Sequence, residues 1–133
     1  MEPSMTGVTY PYMRLDLREY ADSLRDEAHQ RLVWVSHLPS EKQDNFTDVV
    51  HFFYDDTSLA SDPGRCVGVF LRDETEAAAV RALTSAIDAL FAALGTEQPD
   101  DEYLRAPGWQ LVVSRAKELV ALLDHADASA AAA

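Results

Sequence analysis

The chain has 133 residues, 47% of them hydrophobic and 26% charged, which is typical of one globular domain with a sizeable core. Its formal net charge of −12 disfavours nucleic acid and anionic membrane surfaces, because binding to either depends on cations that neutralise phosphates. A basic protein is the partner that such a charge favours.

Location is predicted from what the sequence lacks. No stretch approaches the roughly 18 uninterrupted apolar residues of a membrane span, and residues 1–7 show no secretory signal pattern. The single cysteine, Cys66, excludes an internal disulfide and a thiolate-rich zinc site, and its apolar neighbours predict a buried, inert thiol. We therefore expect a cytoplasmic protein, and its preference for arginine over lysine suggests a GC-rich bacterial genome.

The first predicted helix follows an irregular arm. Residues 1–13 contain several Pro and Gly and little periodicity, which predicts no regular element. From Leu15 to Ser36, apolar residues recur at three- and four-residue steps and predict an amphipathic helix. The members of this stripe are Leu17, Tyr20, Ala21, Leu24, Ala28, Leu32 and Val35.

The middle of the chain decides the fold class. Apolar residues from Phe46 to Phe53 keep helical spacing, although residues 49–54 also form a short apolar run that suits a strand. Residues 66–71 are a second weak strand candidate, interrupted by Gly68. We favour a mainly α bundle of about four helices with a short extended or irregular segment at 66–71. The alternative is an α+β fold with a two-stranded hairpin formed by residues 49–54 and 66–71.

Two further helices are predicted in the second half. Asp73 and Glu76 form a capping-box-like start, and Gly95 stands where a left-handed residue ends a helix. Pro107 suits the first turn of a last helix. We predict one globular domain over residues 14–123 and a disordered Ala-rich tail over 124–133. Small residues on the helix after Asp73 offer a face for a homodimer, namely Ala78, Ala82, Ala89 and Ala93.

The main metal-site hypothesis concerns His51 and Asp55. Their four-residue spacing places both on one face of a helix, about one turn apart, which suits two metal ligands. A distant His29 or His37 could complete the site. No zinc-protease or EF-hand motif supports it, so a structural role for His51 is the simpler reading.

Three residues are candidates for contact with a partner. Trp34 is most simply a core anchor, but it lies off the apolar stripe of its predicted helix and, with His37, could instead belong to an exposed contact patch. Asp55 or Asp56 could cap the turn that follows, or Asp56 could meet a basic residue of the partner.

No catalytic or cofactor signature is complete. The five glycines are too scattered for a phosphate-binding loop, and no serine lies in a nucleophile elbow. Acidic clusters such as residues 100–102 are most simply solvated helix starts. We therefore expect a non-catalytic interaction module of immunity, antitoxin or regulatory adaptor type, without a cofactor. The alternative is a small metal-binding or metal-dependent helical-bundle enzyme.

Overall fold

The computed structural model describes residues 8–132, and within this range the chain forms six α-helices and no strand. In chain order the helices are α1 (Pro11–Arg25), α2 (Glu27–His29), α3 (Phe46–His51), α4 (Glu74–Leu94), α5 (Asp100–Arg105) and α6 (Trp109–Ala132). Helix α2 continues as π-helix over Gln30–Val35, and α3 continues as π-helix over Phe52–Asp56. The predicted mainly α bundle is thus confirmed.

The alternative hairpin is wrong, because its first half is helical. Residues 49–54 lie within α3 and its π-helical extension, and the side chain of Asn45 caps the start by accepting a hydrogen bond from the Asp48 amide at 2.8 Å. Residues 66–71 follow a 3-10 turn and form only an isolated bridge between Val67 and Leu71. Gly68 has a φ of 85°, so this segment turns rather than extends.

The first predicted helix is broken at Asp26. The side chain of Asp26 accepts a hydrogen bond from the His29 amide at 3.0 Å and starts a new helix. The amide nitrogen of the buried Gln30 side chain donates to the carbonyls of Ser23 and Leu24 at the end of α1. These carbonyls have no partner within the helix, so Gln30 stabilises the break.

The irregular arm predicted for residues 1–13 is too long, because α1 begins at Pro11. Residues 1–7 lie outside the described range.

The core is built around α6, which packs against both α1 and α4. Each helix buries the apolar face that its periodicity predicts. The fully buried side chains in these three helices include Leu17, Leu24, Val80, Leu83, Ile87, Val112, Ala116, Leu119 and Leu123. A cluster of aromatic rings extends the core toward α3 and α5, and it consists of Trp34, Phe46, Phe91, Tyr103 and Trp109.

Helix α4 is long and apolar enough to cross a membrane by length and composition alone, with a mean hydropathy of 1.5 over its most apolar window. A core helix passes the same test, and 39% of this window is buried inside the domain.

A buried ion pair joins α1 to α4, and a partly exposed pair joins α1 to α6. Arg14 in α1 is 1% exposed, and its guanidinium donates two hydrogen bonds to the Glu76 carboxylate at 2.8 and 2.7 Å. It also donates to Asp127 in α6 at 2.9 Å.

The tail that was predicted to be disordered is helical in the structure, because α6 runs to Ala132. Charge, rather than apolar area, fixes this last part of α6 to α1, since Arg18 also pairs with Asp124.

Candidate functional site: an acidic cleft

A cleft of about 580 Å³ opens where the π-helical end of α2 meets the starts of α3 and α5. Its charged lining is almost entirely acidic, and no lysine or arginine of the described residues lines it. The titratable groups of the lining are His37, Asp44, Asp48, Asp100 and Asp101. Such a lining gives the cleft a negative potential that attracts cations.

The cleft is held open by a bond between two helix starts. The first amides of a helix have no partner within the helix. The Phe46 amide, at the start of α3, donates instead to the carboxylate of Asp100 at 3.1 Å. Asp100 is the first residue of α5, so this contact joins elements 54 residues apart and brings Asp48 and Asp101 to the same opening.

Asp44 has a structural role in the wall of the cleft. Its carboxylate, 10% exposed, accepts hydrogen bonds from the Ser23 hydroxyl at 2.6 Å and the Trp34 indole at 2.8 Å. It also contacts the His29 ring at 2.7 Å. Both oxygens are engaged, and Asp101 pairs with Arg105 at 3.6 Å, which leaves Asp48 and Asp100 as the carboxylates best able to meet a ligand.

The charged form of the Asp100 carboxyl is disfavoured by its surroundings. Burial raises the pKa of its carboxyl above the usual aspartate range, and the negative charges of Asp101 and Asp48 act in the same direction. The hydrogen bond from Phe46 and the nearby His37 oppose this shift. A carboxylate disfavoured in this way gains from any cation that binds beside it.

Replacing Asp100 by Asn is expected to stabilise the folded protein at neutral pH. The pKa of Asp100 is higher in the folded protein than in the unfolded chain. Its contribution to stability is therefore complete below the ordinary aspartate pKa range, and it is lost as pH rises through the raised pKa. Asn can still accept the Phe46 hydrogen bond and carries no charge. Thermal melts from about pH 3 to about pH 7 should show a gain in Tm that grows with pH. The exposed Asp16→Asn should show no such trend, and a lower Tm for Asp100→Asn at neutral pH would contradict this reading.

His37 lies on the rim of the cleft and ends the helix that precedes it. Its φ of 57° is left-handed, which is uncommon for a residue other than glycine. The Leu38 amide then donates back to the Leu32 carbonyl at 2.9 Å, and the Ser36 amide to the Arg31 carbonyl at 3.0 Å. Both bonds satisfy carbonyls that the helix end leaves free.

Trp34 is a core anchor, and the alternative of an exposed contact patch is wrong. Trp34 is 2% exposed and packs against Phe46 and Trp109. The break at Asp26 and the wider π-helical turn rotate the chain relative to a continuous α-helix. Trp34 therefore enters the core, while Leu32 and Val35, predicted to be buried, face solvent.

His51 and Asp55 are brought together as predicted, with the His51 Nδ1 and the Asp55 Oδ2 2.5 Å apart. Their side chains are 57% and 60% exposed. No group of three or more His, Cys, Asp or Glu that could hold a metal ion occurs within residues 8–132, and His29 is engaged with Asp44. A metal at this pair stays a prediction, with two ligands and no third beside them.

Asp56 is exposed, and the turn that follows it is capped by another side chain. The Thr57 hydroxyl donates to the Phe52 carbonyl at 2.7 Å and accepts from the Leu59 amide at 3.2 Å. Asp55 pairs with His51, so neither aspartate takes the predicted capping role.

Cys66 is buried as expected, and burial raises the pKa of its thiol.

Sequence reasoning missed the roles of Asp44 and Asp100. Asp44 precedes the Asn45 cap and looks like part of a polar loop, while Asp100 looks like a solvated helix start. The donors that they meet, such as Ser23 and the Phe46 amide, are distant in sequence, so no local pattern announces them.

Comparison with known proteins identifies a family but no activity. No curated protein and no solved structure matches the chain. One family model, described as Domain of unknown function (DUF7945), matches residues 8–131, which is nearly the whole of the described range. The chain therefore belongs to the family Domain of unknown function (DUF7945).

Proposed function

We propose that the protein is a non-catalytic interaction module that binds a basic segment of a partner protein in the acidic cleft. The observation that carries this is the lining itself, in which Asp48 and Asp100 face one opening with no lysine or arginine among the lining residues. Asp101 lines the same opening and pairs with Arg105 at 3.6 Å. An arginine or lysine of a partner would meet several carboxylates at once.

The properties of Asp100 support the same function. A half-buried acid that destabilises the free protein at neutral pH is stabilised when a cation enters the cleft. The net charge of −12 adds long-range attraction for a basic partner and raises the rate of encounter.

A short arginine peptide is the simplest probe, because it presents only the cationic part of such a partner. We expect hexaarginine to bind with an affinity that falls as salt increases, since exposed charges are screened. The double variant Asp48→Asn with Asp100→Asn should bind about tenfold more weakly at low salt, in isothermal titration calorimetry.

The matched control removes the same charge elsewhere. Asp16→Asn with Glu74→Gln changes two exposed acids outside the cleft and gives the same net charge as the test variant. If both double variants lose affinity equally, the attraction belongs to the whole surface and the cleft has no special role. Binding that does not change with salt would also contradict the function.

A further inference from the structure

Resting on the proposed function, we infer that the basic segment is an amphipathic helix of the partner. Its apolar face docks in a groove beside the acidic cleft, and its cationic side chains reach the cleft carboxylates. The groove is defined here by its apolar lining residues, Ala28, Leu32, Val33, Leu38 and Pro39, and polar residues such as Asp26 also line it.

The groove is an apolar surface without an occupant among the described residues. It encloses about 330 Å³, and most of its lining residues are apolar. Leu32 is 51% exposed and Leu38 is 48% exposed. Single exposed leucines are ordinary on protein surfaces, but two in one concave site offer anchor points for another chain.

Backbone geometry sets the two leucines side by side. The left-handed conformation of His37 reverses the chain, and the hydrogen bond from the Leu38 amide to the Leu32 carbonyl closes the turn. The side chains of Leu32 and Leu38 therefore line the same groove. This arrangement is fixed by the backbone before any partner binds, which lowers the entropy lost on binding.

The groove and the acidic cleft share a wall. Val33 lines both of them, and Val35, which is 39% exposed, lines the cleft. The segment from Val33 to Leu38 thus forms a ridge between a mostly apolar groove and a cleft that carries carboxylates. An amphipathic helix presents the same division, with an apolar stripe along one face and polar residues beside it.

Charge decides between the occupants that could cover this ridge. A second copy of the chain would bring another net charge of −12 and a second set of cleft carboxylates to the contact. Like charges placed together at an interface oppose association. A helix that carries lysine or arginine beside its apolar stripe matches both sides of the ridge.

Two designed peptides of identical composition provide the test. In the first, leucines at the a and d positions of two heptads form one apolar stripe, and lysines fill the remaining positions. In the second, the same residues are scrambled so that no stripe forms. We expect the protein to bind the striped peptide about tenfold more tightly, and circular dichroism should show the peptide gaining helicity on binding.

The variant Leu32→Ser with Leu38→Ser should lose this preference and still bind hexaarginine like the unchanged protein. Both leucines are exposed, so the fold should persist, and an unchanged Tm checks this. Leu15→Ser, which changes an exposed leucine outside the groove, should keep the full preference.

The outcomes separate this inference from the function on which it rests. Equal affinity for the two peptides, or a preference that survives the double leucine variant, would overturn the docking of a helix even if hexaarginine still binds in the cleft. Loss of hexaarginine binding in the leucine variant at unchanged Tm would do the same, because the groove would then have no separate role. If the double variant of the cleft binds hexaarginine as tightly as the unchanged protein does, the proposed function itself is overturned.

Discussion

Replacing Arg14 by Ala is expected to lower the free energy of unfolding by about 3–5 kcal/mol, since it leaves the buried Glu76 carboxylate without its cation. Arg14 and Glu76 are 1% and 2% exposed, and two hydrogen bonds join them. Arg14 also donates to the Phe70 carbonyl at 3.0 Å and would leave that acceptor unpaired. Urea unfolding at neutral pH, followed by circular dichroism, measures the loss.

The matched control is another arginine of α1 with an ion pair to α6. Arg18 donates two hydrogen bonds to Asp124 at 3.0 and 2.9 Å, but the Asp124 side chain is 52% exposed. Water can solvate both groups after truncation, so Arg18→Ala should lose about 1 kcal/mol or less. Similar losses for the two variants would show that burial does not set the strength of the Arg14 contacts.

Asp44→Ala is expected to lower the free energy of unfolding by about 2–4 kcal/mol, because it removes the shared acceptor of several side chains. The Ser23 hydroxyl and the Trp34 indole would both lose their partner, and each belongs to a buried residue. The His29 ring would lose its contact as well. Chemical unfolding measures this loss, and the near-ultraviolet circular dichroism of Trp34 should change with it.

Two companion variants make the Asp44 result specific. Asp44→Asn should be intermediate, since its carbonyl oxygen can accept from Trp34 while its amide nitrogen cannot accept from Ser23. Asp48→Ala, which changes an exposed acid of the same cleft, should lose less than about 1 kcal/mol. A loss for Asp48→Ala as large as that for Asp44→Ala would contradict the structural role assigned to Asp44.

The parts of the fold that the sequence predicts well are those fixed by local interactions. Helix α4 starts where expected, because the Asp73 carboxylate accepts from the Glu76 amide at 3.0 Å. It ends at Gly95, whose φ of 84° is readily available only to glycine. Residues three or four positions apart determine both features, so a single sequence contains the information.

The sequence does not predict features that a continuous apolar pattern masks or that depend on distant partners. The break at Asp26 is of the first kind, because its cap and the Gln30 bonds are local but the apolar stripe runs on through them. Gln30 also accepts from the distant Trp109 at 3.0 Å. The burial of Trp34 follows from that break. The acidic cleft likewise depends on contacts such as Asp100 with Phe46, which no pattern within one helix can indicate.

The contact between Arg14 and Asp127 spans 113 positions of the sequence, and this separation constrains the order of assembly. While the chain is being synthesised, α1 exists long before α6, so the face of α1 that packs against α6 lacks its partner until α6 has been made. Closing so long a loop costs conformational entropy, and the contacts between α1 and α6 offset this cost once they form. The complete set of Arg14 contacts therefore forms only once the last turns of α6 have reached α1. Until then the apolar face of α1 stays open to association with other chains.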